Sequence, residues 1–230
     1  MNVKEGSVIA LIPAWNEGKR LEPIIKQTQA YLPVLVVDDG SRDDTVSIAE
    51  ACGVTVVRHA VNQGKGVALL TGFKWALEHG YDAVLTLDAD GQHDPADIPA
   101  FLDVYEEGDA PLIIGRRNFK QMPFPRLYTN PFGSWLLSKA LGQKIDDNQS
   151  GFRLYRRELL DTVELTTSGF ELEVEVIIEA VCREMKIDWV DIRTIYDIDK
   201  VSYFHPLRDS AIFLGMVWRA YRYRRQFQQA

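Results

Sequence analysis

Short apolar runs alternate with stretches of helical periodicity through the first half of the chain. Residues 7–12, 34–37, 54–57 and 83–87 read as buried strands. Between them, 21–30, 45–51 and 66–78 carry apolar positions at helical spacing, with Gly53 as the stop of the second. Strand and helix alternating at this pace imply an α/β fold, with helices on both faces of a Rossmann-like, mostly parallel sheet. Each strand ends in a polar cluster: 13–17, 38–44, 62–65 and 88–93. A parallel sheet gathers such clusters along the carboxyl edge of its strands, where open α/β sheets bind their ligands.

The second half is less regular. Residues 112–115 and 187–195 read as strands, and 129–141, 170–183 and 206–223 as helices. Residues 120–125 form a loop able to move, and 146–153 are polar and irregular. No repeat, low-complexity segment or linker divides the chain. One domain over 1–230 is expected, with 206–230 as a basic amphipathic helix. Its 230 residues, 46% hydrophobic, suit a globular protein, and no apolar run approaches the ~18–20 residues of a membrane span. The first six residues are polar and too short for a secretory signal. Cys52 and Cys182 form neither a disulfide framework nor a zinc site, so the expected compartment is the cytoplasm. A net charge of −7 argues against nucleic acid as a partner. Yet Arg219, Arg222, Arg224 and Arg225 crowd the end of the chain with no acid after Asp209. That asymmetry points to an anionic surface such as the inner face of a membrane. A core-packed helix with a solvated basic end fits the same residues.

The densest chemistry lies in Asp88-Ala89-Asp90-Gly91-Gln92-His93. Two carboxylates one residue apart share a side of an extended chain and repel unless a positive charge stands between them. A divalent ion carrying a diphosphate satisfies both, because hard cations take carboxylate and phosphate oxygens together. Gln92 and His93 are further candidate ligands, and a solvated Asp/Gly turn is the plain alternative. Upstream, Trp15 can stack near a base, and Glu17 can accept from ribose hydroxyls or simply open a helix. Of Asp38 and Asp39, one can orient its loop while the other reads a base edge. Asp43 and Asp44 read as helix caps. Asn62-Gln63-Gly64-Lys65-Gly66 opens a helix without forming a P-loop or a dinucleotide fingerprint. Its Lys65 can meet a phosphate or a base, or be solvated.

Pro13-Ala14-Trp15-Asn16-Glu17, Val36-Val37-Asp38-Asp39-Gly40-Ser41, Asn62–Gly66 and Asp88–His93 occur in an order and spacing that resemble the family-2 glycosyltransferases of GT-A fold. Gly115-Arg116-Arg117, Ser150-Gly151-Phe152-Arg153 and Phe170-Glu171-Leu172-Glu173 extend the resemblance. Within the family the chain looks most like the dolichyl- and polyprenyl-phosphate sugar transferases and their bacterial relatives. The resemblance implies that Asp88, Asp90 and Gln92 hold Mg²⁺ or Mn²⁺ against the donor diphosphate. It implies a nucleoside pocket from Pro13, Ala14, Asn16, Glu17 and Asp39, with Lys65 beside it. Arg117 would face phosphate. Arg153 would belong to the catalytic set, the plain alternative being a surface arginine paired with Asp146 or Asp147.

The family inverts configuration, which implies one in-line displacement of a nucleoside diphosphate from a UDP- or GDP-sugar. A lipid-phosphate acceptor is already ionised near neutral pH and needs no strong base. A hydroxyl acceptor needs a carboxylate base, for which Glu171 and Glu173 are nearest, on different helix faces. The Q-x-x-R-W signature of processive members is absent, and 200–206 replace the usual G-K-S-K end motif. His205 among them reads as structural. The function expected is non-processive, metal-dependent sugar transfer to a polyprenyl phosphate or other lipid-linked acceptor. Transfer to a hydroxyl of a lipid or small molecule is the first alternative. A sugar-phosphate nucleotidylyltransferase would need a Gly-rich loop where 13–17 stand, and a non-catalytic nucleotide-sugar binder would have little use for the aspartate pair.

Overall fold

The structure, a computed structural model, describes residues 7–122, 124, 126–169, 171–193, 195 and 206–227. Phe170, His205 and the rest of 200–205 lie outside the described residues.

Seven strands form one sheet: β1 (Val8–Ala14), β2 (Val34–Asp38), β3 (Thr55–Arg58), β4 (Ala83–Thr86), β5 (Leu112–Arg117), β6 (Arg153–Arg156) and β7 (Ile187–Ile192). Their spatial order is β3-β2-β1-β4-β6-β5-β7. β1, β2, β3 and β4 are parallel neighbours, β6 is antiparallel to both β4 and β5, and β5 pairs in parallel with β7. The sheet is therefore mostly parallel, with β6 opposed. The chain winds outward from β1 to β3, then returns to place β4 on the other side of β1. That reversal is the switch point where α/β sheets open a crevice for ligands.

Strand alternation sorts the core into two layers. Ile9 and Leu11 of β1 face one side, with Ala68, Leu69 and Phe73 of α3 (Lys65–Glu78), Leu137 of α5 (Arg126–Leu141), Ile177 of α7 (Leu172–Cys182) and Met216 of α8 (Pro206–Phe227). Val8, Ala10 and Ile12 face the other, with Leu21 and Ile25 of α1 (Gly18–Gln29), Ala49 of α2 (Thr45–Ala51) and Phe101 of α4 (Ile98–Glu107). Leu159 of α6 (Arg157–Thr162) joins the first layer.

The expected early strands and helices all form, and β1 runs on through Pro13 and Ala14, which pair with Val37 and Asp38. The structure corrects the reading of the second half. The stretch expected to be irregular up to Arg153 leads into β6, which starts at Arg153 and inserts between β4 and β5. The strand expected over 187–195 stops at Ile192. α4 and α6 were not anticipated.

Candidate active site

β4 ends at Thr86, yet the Leu87 amide still donates to the Leu11 carbonyl at 3.2 Å, so Asp88 emerges at the switch point. Local hydrogen bonds fix the turn from Asp88 to His93. The Asp88 amide donates to His93 Nδ1 at 3.0 Å, and the Gln92 amide donates to Asp90 Oδ1 at 2.9 Å. Gly91, at φ 76°, turns the chain between them. His93 is buried and stacks on Phe152, ring centroids 5.2 Å apart. Burial pushes its imidazole below the ordinary pKa, against the pull of Asp88 and Asp90. With Nδ1 accepting, the neutral ring carries its proton on Nε2, 4.0 Å from Asp88 Oδ2. A protonated nitrogen cannot ligate a metal, so in this arrangement His93 braces the turn and, of the two further candidate ligands, Gln92 is left.

The positive charge between the site's carboxylates is Lys65. Its Nζ lies 2.6 Å from Asp88 Oδ1 and donates to Glu173 Oε1 at 2.8 Å. Burial alone would lower its pKa, but the Asp88 and Glu173 charges override this and raise it. The solvated reading of Lys65 is thereby corrected. The position is built by two segments. The Asp39 carboxylate accepts the Gln63 amide at 2.9 Å and the Gly64 amide at 2.7 Å, which fixes the entry to α3. The segment at 168–169 lies flush on that entry, where Ser168 O accepts the Val67 amide at 3.3 Å. A Cβ on Gly66 would stand 2.5 Å from Ser168 C, so only glycine permits the approach. Glu173 sits in the first turn of α7 and is buried, whereas Glu171 precedes the helix and is partly exposed. One of the two expected carboxylates thus points inward.

Gly151 keeps a small polar space open at this cluster. A Cβ there would stand 2.8 Å from Asp88 Oδ2, 2.9 Å from Lys65 Nζ and 3.0 Å from Glu173 Oε1. Its carbonyl accepts from Thr86 Oγ1 at 2.8 Å, and the neighbouring Ser150 hydroxyl is buried with no hydrogen-bond partner among the described residues. Gly151→Ala is expected to lower kcat by roughly 10–100-fold through displaced charged groups while Tm changes little. Steady-state kinetics beside a thermal melt checks this; unchanged kinetics would mean the gap serves packing alone.

Across the crevice, the residues expected to line a nucleoside pocket gather at the ends of β1 and β2. Pro13 and Ala14 lie in β1, and Ala14 O accepts the Asp39 amide at 2.8 Å. Asn16, at φ 55°, donates its amide to Ser41 Oγ and accepts the Arg42 amide on Oδ1, each at 2.9 Å. Glu17 pairs with Arg20 at 3.1 Å. Asp38 accepts the Ser41 amide at 3.2 Å and orients its own loop. Asp39 also meets His59 Nδ1 at 2.7 Å, so its carboxylate chiefly ties the 59–64 loop to the sheet. Asp43 accepts the Thr45 amide at 3.1 Å and the Gly18 amide at 3.1 Å, binding two helix starts together. Asp44 makes no side-chain cap bond.

Of the two expected site arginines, Arg117 is braced by a carboxylate and Arg153 stands differently from expectation. Arg117 makes a bidentate pair with Asp147, at 2.7 and 2.8 Å, and Asp147 is fully buried. Neighbouring Arg116 takes Asp146 at 2.9 Å. Arg153 is paired with neither aspartate and is not on the surface. It is fully buried, with its guanidinium donating to the carbonyls of Ser150 (2.6 Å), Glu173 (2.5 Å) and Asn148 (3.1 Å). It cannot touch a substrate from there, so its assignment to the catalytic set is corrected. It is a positioning residue that locks the 148–151 segment to the start of α7.

No three His, Cys, Asp or Glu side chains among the described residues form a metal cage. Asp88, Asp90 and the side-chain carbonyl of Gln92 nevertheless offer hard oxygen donors. Magnesium-like ions commonly take one or two carboxylates and complete their shell with water and substrate phosphates. The residues fit an ion that arrives with a diphosphate.

The sequence profile of glycosyl transferase family 2 matches residues 9–164, which include every cluster of this edge from Pro13 to Arg153. The chain belongs to that family. Its relatives include the polyprenol monophosphomannose synthase of Mycolicibacterium smegmatis, 32% identical over 75% of this chain and 71% of the relative. The UDP-N-acetylglucosamine–dolichyl-phosphate N-acetylglucosaminyltransferase of Methanococcus voltae is 30% identical over 82% of this chain and 86% of the relative. Among solved structures, glucosyl-3-phosphoglycerate synthase of Mycobacterium tuberculosis, bound to Mn²⁺, uridine diphosphate and glucosyl-3-phosphoglycerate, superposes with a TM-score of 0.71. That likeness covers 95% of this chain and 79% of the synthase at 22% identity, and shows a shared GT-A fold. This family-2 glycosyltransferase carries its polar clusters at the carboxyl edge of a GT-A sheet.

Proposed function

We propose that this glycosyltransferase moves one sugar from a UDP- or GDP-sugar to a polyprenyl phosphate, with inversion and without processivity. The observation that carries the reading is the meeting of Asp88, Lys65 and Glu173 around the gap at Gly151, on the sheet edge that also carries Asp90 and the ends of β1 and β2. Relatives named for polyprenol, dolichyl and undecaprenyl phosphates support the acceptor class. The whole of 1–230 acts as one domain, and the basic helix α8 makes a peripheral contact with the cytoplasmic face of a membrane. Among the described residues no helix is long and apolar enough to cross one.

Pro13, Ala14, Asn16, Glu17 and Asp39 frame the nucleoside. Asp88, Asp90 and Gln92 are the residues that would hold Mg²⁺ or Mn²⁺, which bound there would offset charge developing on the departing diphosphate. Lys65 adds fixed positive charge at the same place, and Arg117, its guanidinium braced by Asp147, is the arginine that would face phosphate. Glu173 Oε1 is occupied by the Lys65 ammonium. That engagement favours an acceptor that arrives ionised over a hydroxyl that must be deprotonated.

Thermal shift with UDP and GDP, each with Mn²⁺ or EDTA, tests the donor site. One nucleotide is expected to raise Tm by several degrees with Mn²⁺ and far less with EDTA, as binding to the native state alone stabilises it. Equal shifts in EDTA would remove the metal role, and no shift with either would remove the pocket.

A further inference from the structure

We infer that α5 and α8 together form one lipid-facing platform that rests on an anionic bilayer. The inference builds on the membrane contact proposed for α8 and gives it a second helix and a lipid class. Each helix carries the same pattern. On α5, Tyr128, Phe132, Trp135 and Lys139 follow at i, i+4, i+7 and i+11. On α8, Leu214, Trp218, Tyr221 and Arg225 repeat that spacing. Such positions make one stripe along a helix. Tyr128, Phe132, Trp135, Leu214 and Trp218 are each more than half exposed, and Tyr221 nearly so.

The two stripes face the same way. A Cβ on Gly133 would lie 3.5 Å from the Phe213 ring, and one on Gly142 would meet Arg224, so α8 runs alongside α5 in the same direction. Opposite the stripes, Leu137 and Leu141 of α5 and Met216 and Ala220 of α8 are buried. Arg219 pins α8 to the body through a 2.9 Å pair with the buried Glu175. That carboxylate also accepts the Thr166 and Thr167 amides at 3.0 and 2.9 Å. The apolar stripes are thus held outward by a fixed scaffold.

Charge selects the occupant. On a chain of net charge −7, α5 holds two basic residues and no acid, and α8 five basic residues and one acid. Arg222 and Arg225 lie over the Trp218 and Tyr221 rings, at 4.6 and 4.8 Å from the centroids. Aromatic rings flanked by arginines suit the headgroup layer, where rings enter the interface and cations meet lipid phosphates. A second copy docked symmetrically on this face would set the same cations against one another.

Flotation with phosphatidylcholine vesicles, with and without phosphatidylglycerol, tests the platform. The full chain is compared with Phe132→Ser/Trp135→Ser and with Leu214→Ser/Trp218→Ser. The wild-type protein is expected to float with the anionic vesicles, less as salt rises, and weakly with neutral ones. Each double variant is expected to lower the partition coefficient about tenfold or more, with the nucleotide thermal shift unchanged. Absence of flotation, equal flotation with neutral vesicles, or loss confined to the α8 variant would overturn the inference. So would a wild-type dimer that these variants convert to monomer without any lipid binding. Nucleotide binding is measured without lipid, so failure of the platform and failure of the donor site are told apart.

Discussion

Asp90→Asn is expected to lower kcat/KM for sugar transfer by about 10³-fold, equivalent to roughly 4 kcal/mol of transition-state stabilisation. The fold should persist, because asparagine keeps the oxygen that accepts the Gln92 amide and closes the turn. The variant loses one negative charge at the place where a divalent ion and a diphosphate are to meet. Asp88→Asn makes a useful contrast. Asp88 shares the Lys65 ammonium with Glu173, so its neutralisation disturbs a partly buried ion cluster as well as the metal site. Stability and activity should then fall together, whereas Asp90→Asn separates them. Initial rates across a Mn²⁺ titration, with melting curves, make the distinction. An Asp90→Asn enzyme within a few-fold of wild type would reduce Asp90 to a turn residue.

Arg153→Met carries the largest expected cost in stability. The arginine fills a wholly buried position and gives its donors to three backbone carbonyls. Methionine occupies similar space but leaves those carbonyls without partners, at about 1–3 kcal/mol for each unsatisfied group. A net loss of about 3–5 kcal/mol is expected, lowering Tm by roughly 6–20 °C for a chain of this size. Activity should fall as well, because the freed 148–151 segment carries Gly151 and the freed helix start carries Glu173. Lysine should not rescue it, as a single ammonium cannot span three carbonyls in a plane. Had Arg153 touched the substrate, the variants would lose turnover with Tm preserved. Calorimetry beside single-turnover kinetics separates the two.

The first half of the fold was legible because each of its strands is a compact apolar run and each helix has its own period. The second half hid β6, whose Arg153-Leu154-Tyr155-Arg156 begins and ends in arginine and reads as surface. Burial of Arg153 depends on carbonyls supplied by the 148–150 segment and by α7, which no local pattern announces. α4 was readable in principle: Ile98, Phe101 and Leu102 are its buried residues at helical spacing. In the site, repulsion between Asp88 and Asp90 pointed to a divalent ion and gave no sign of Lys65. Its ammonium sits between Asp88 and Glu173, and Glu173 is 108 residues away in sequence. Likewise, two adjacent arginines and two adjacent aspartates gave no hint that Arg116 takes Asp146 and Arg117 takes Asp147. Pairing of that kind is a product of β5 running past the 146–147 loop.

The central claim is transfer of a single sugar from a nucleotide to a polyprenyl phosphate. Its most direct test uses the donor whose nucleotide stabilises the protein, labelled in the sugar, with undecaprenyl phosphate or undecaprenol, in Mn²⁺ or EDTA. The result expected is one sugar on the lipid phosphate, with the anomeric configuration opposite to the donor's, in Mn²⁺ alone and with no product on the alcohol. Product on the alcohol instead, retained configuration, or equal yield in EDTA would contradict it.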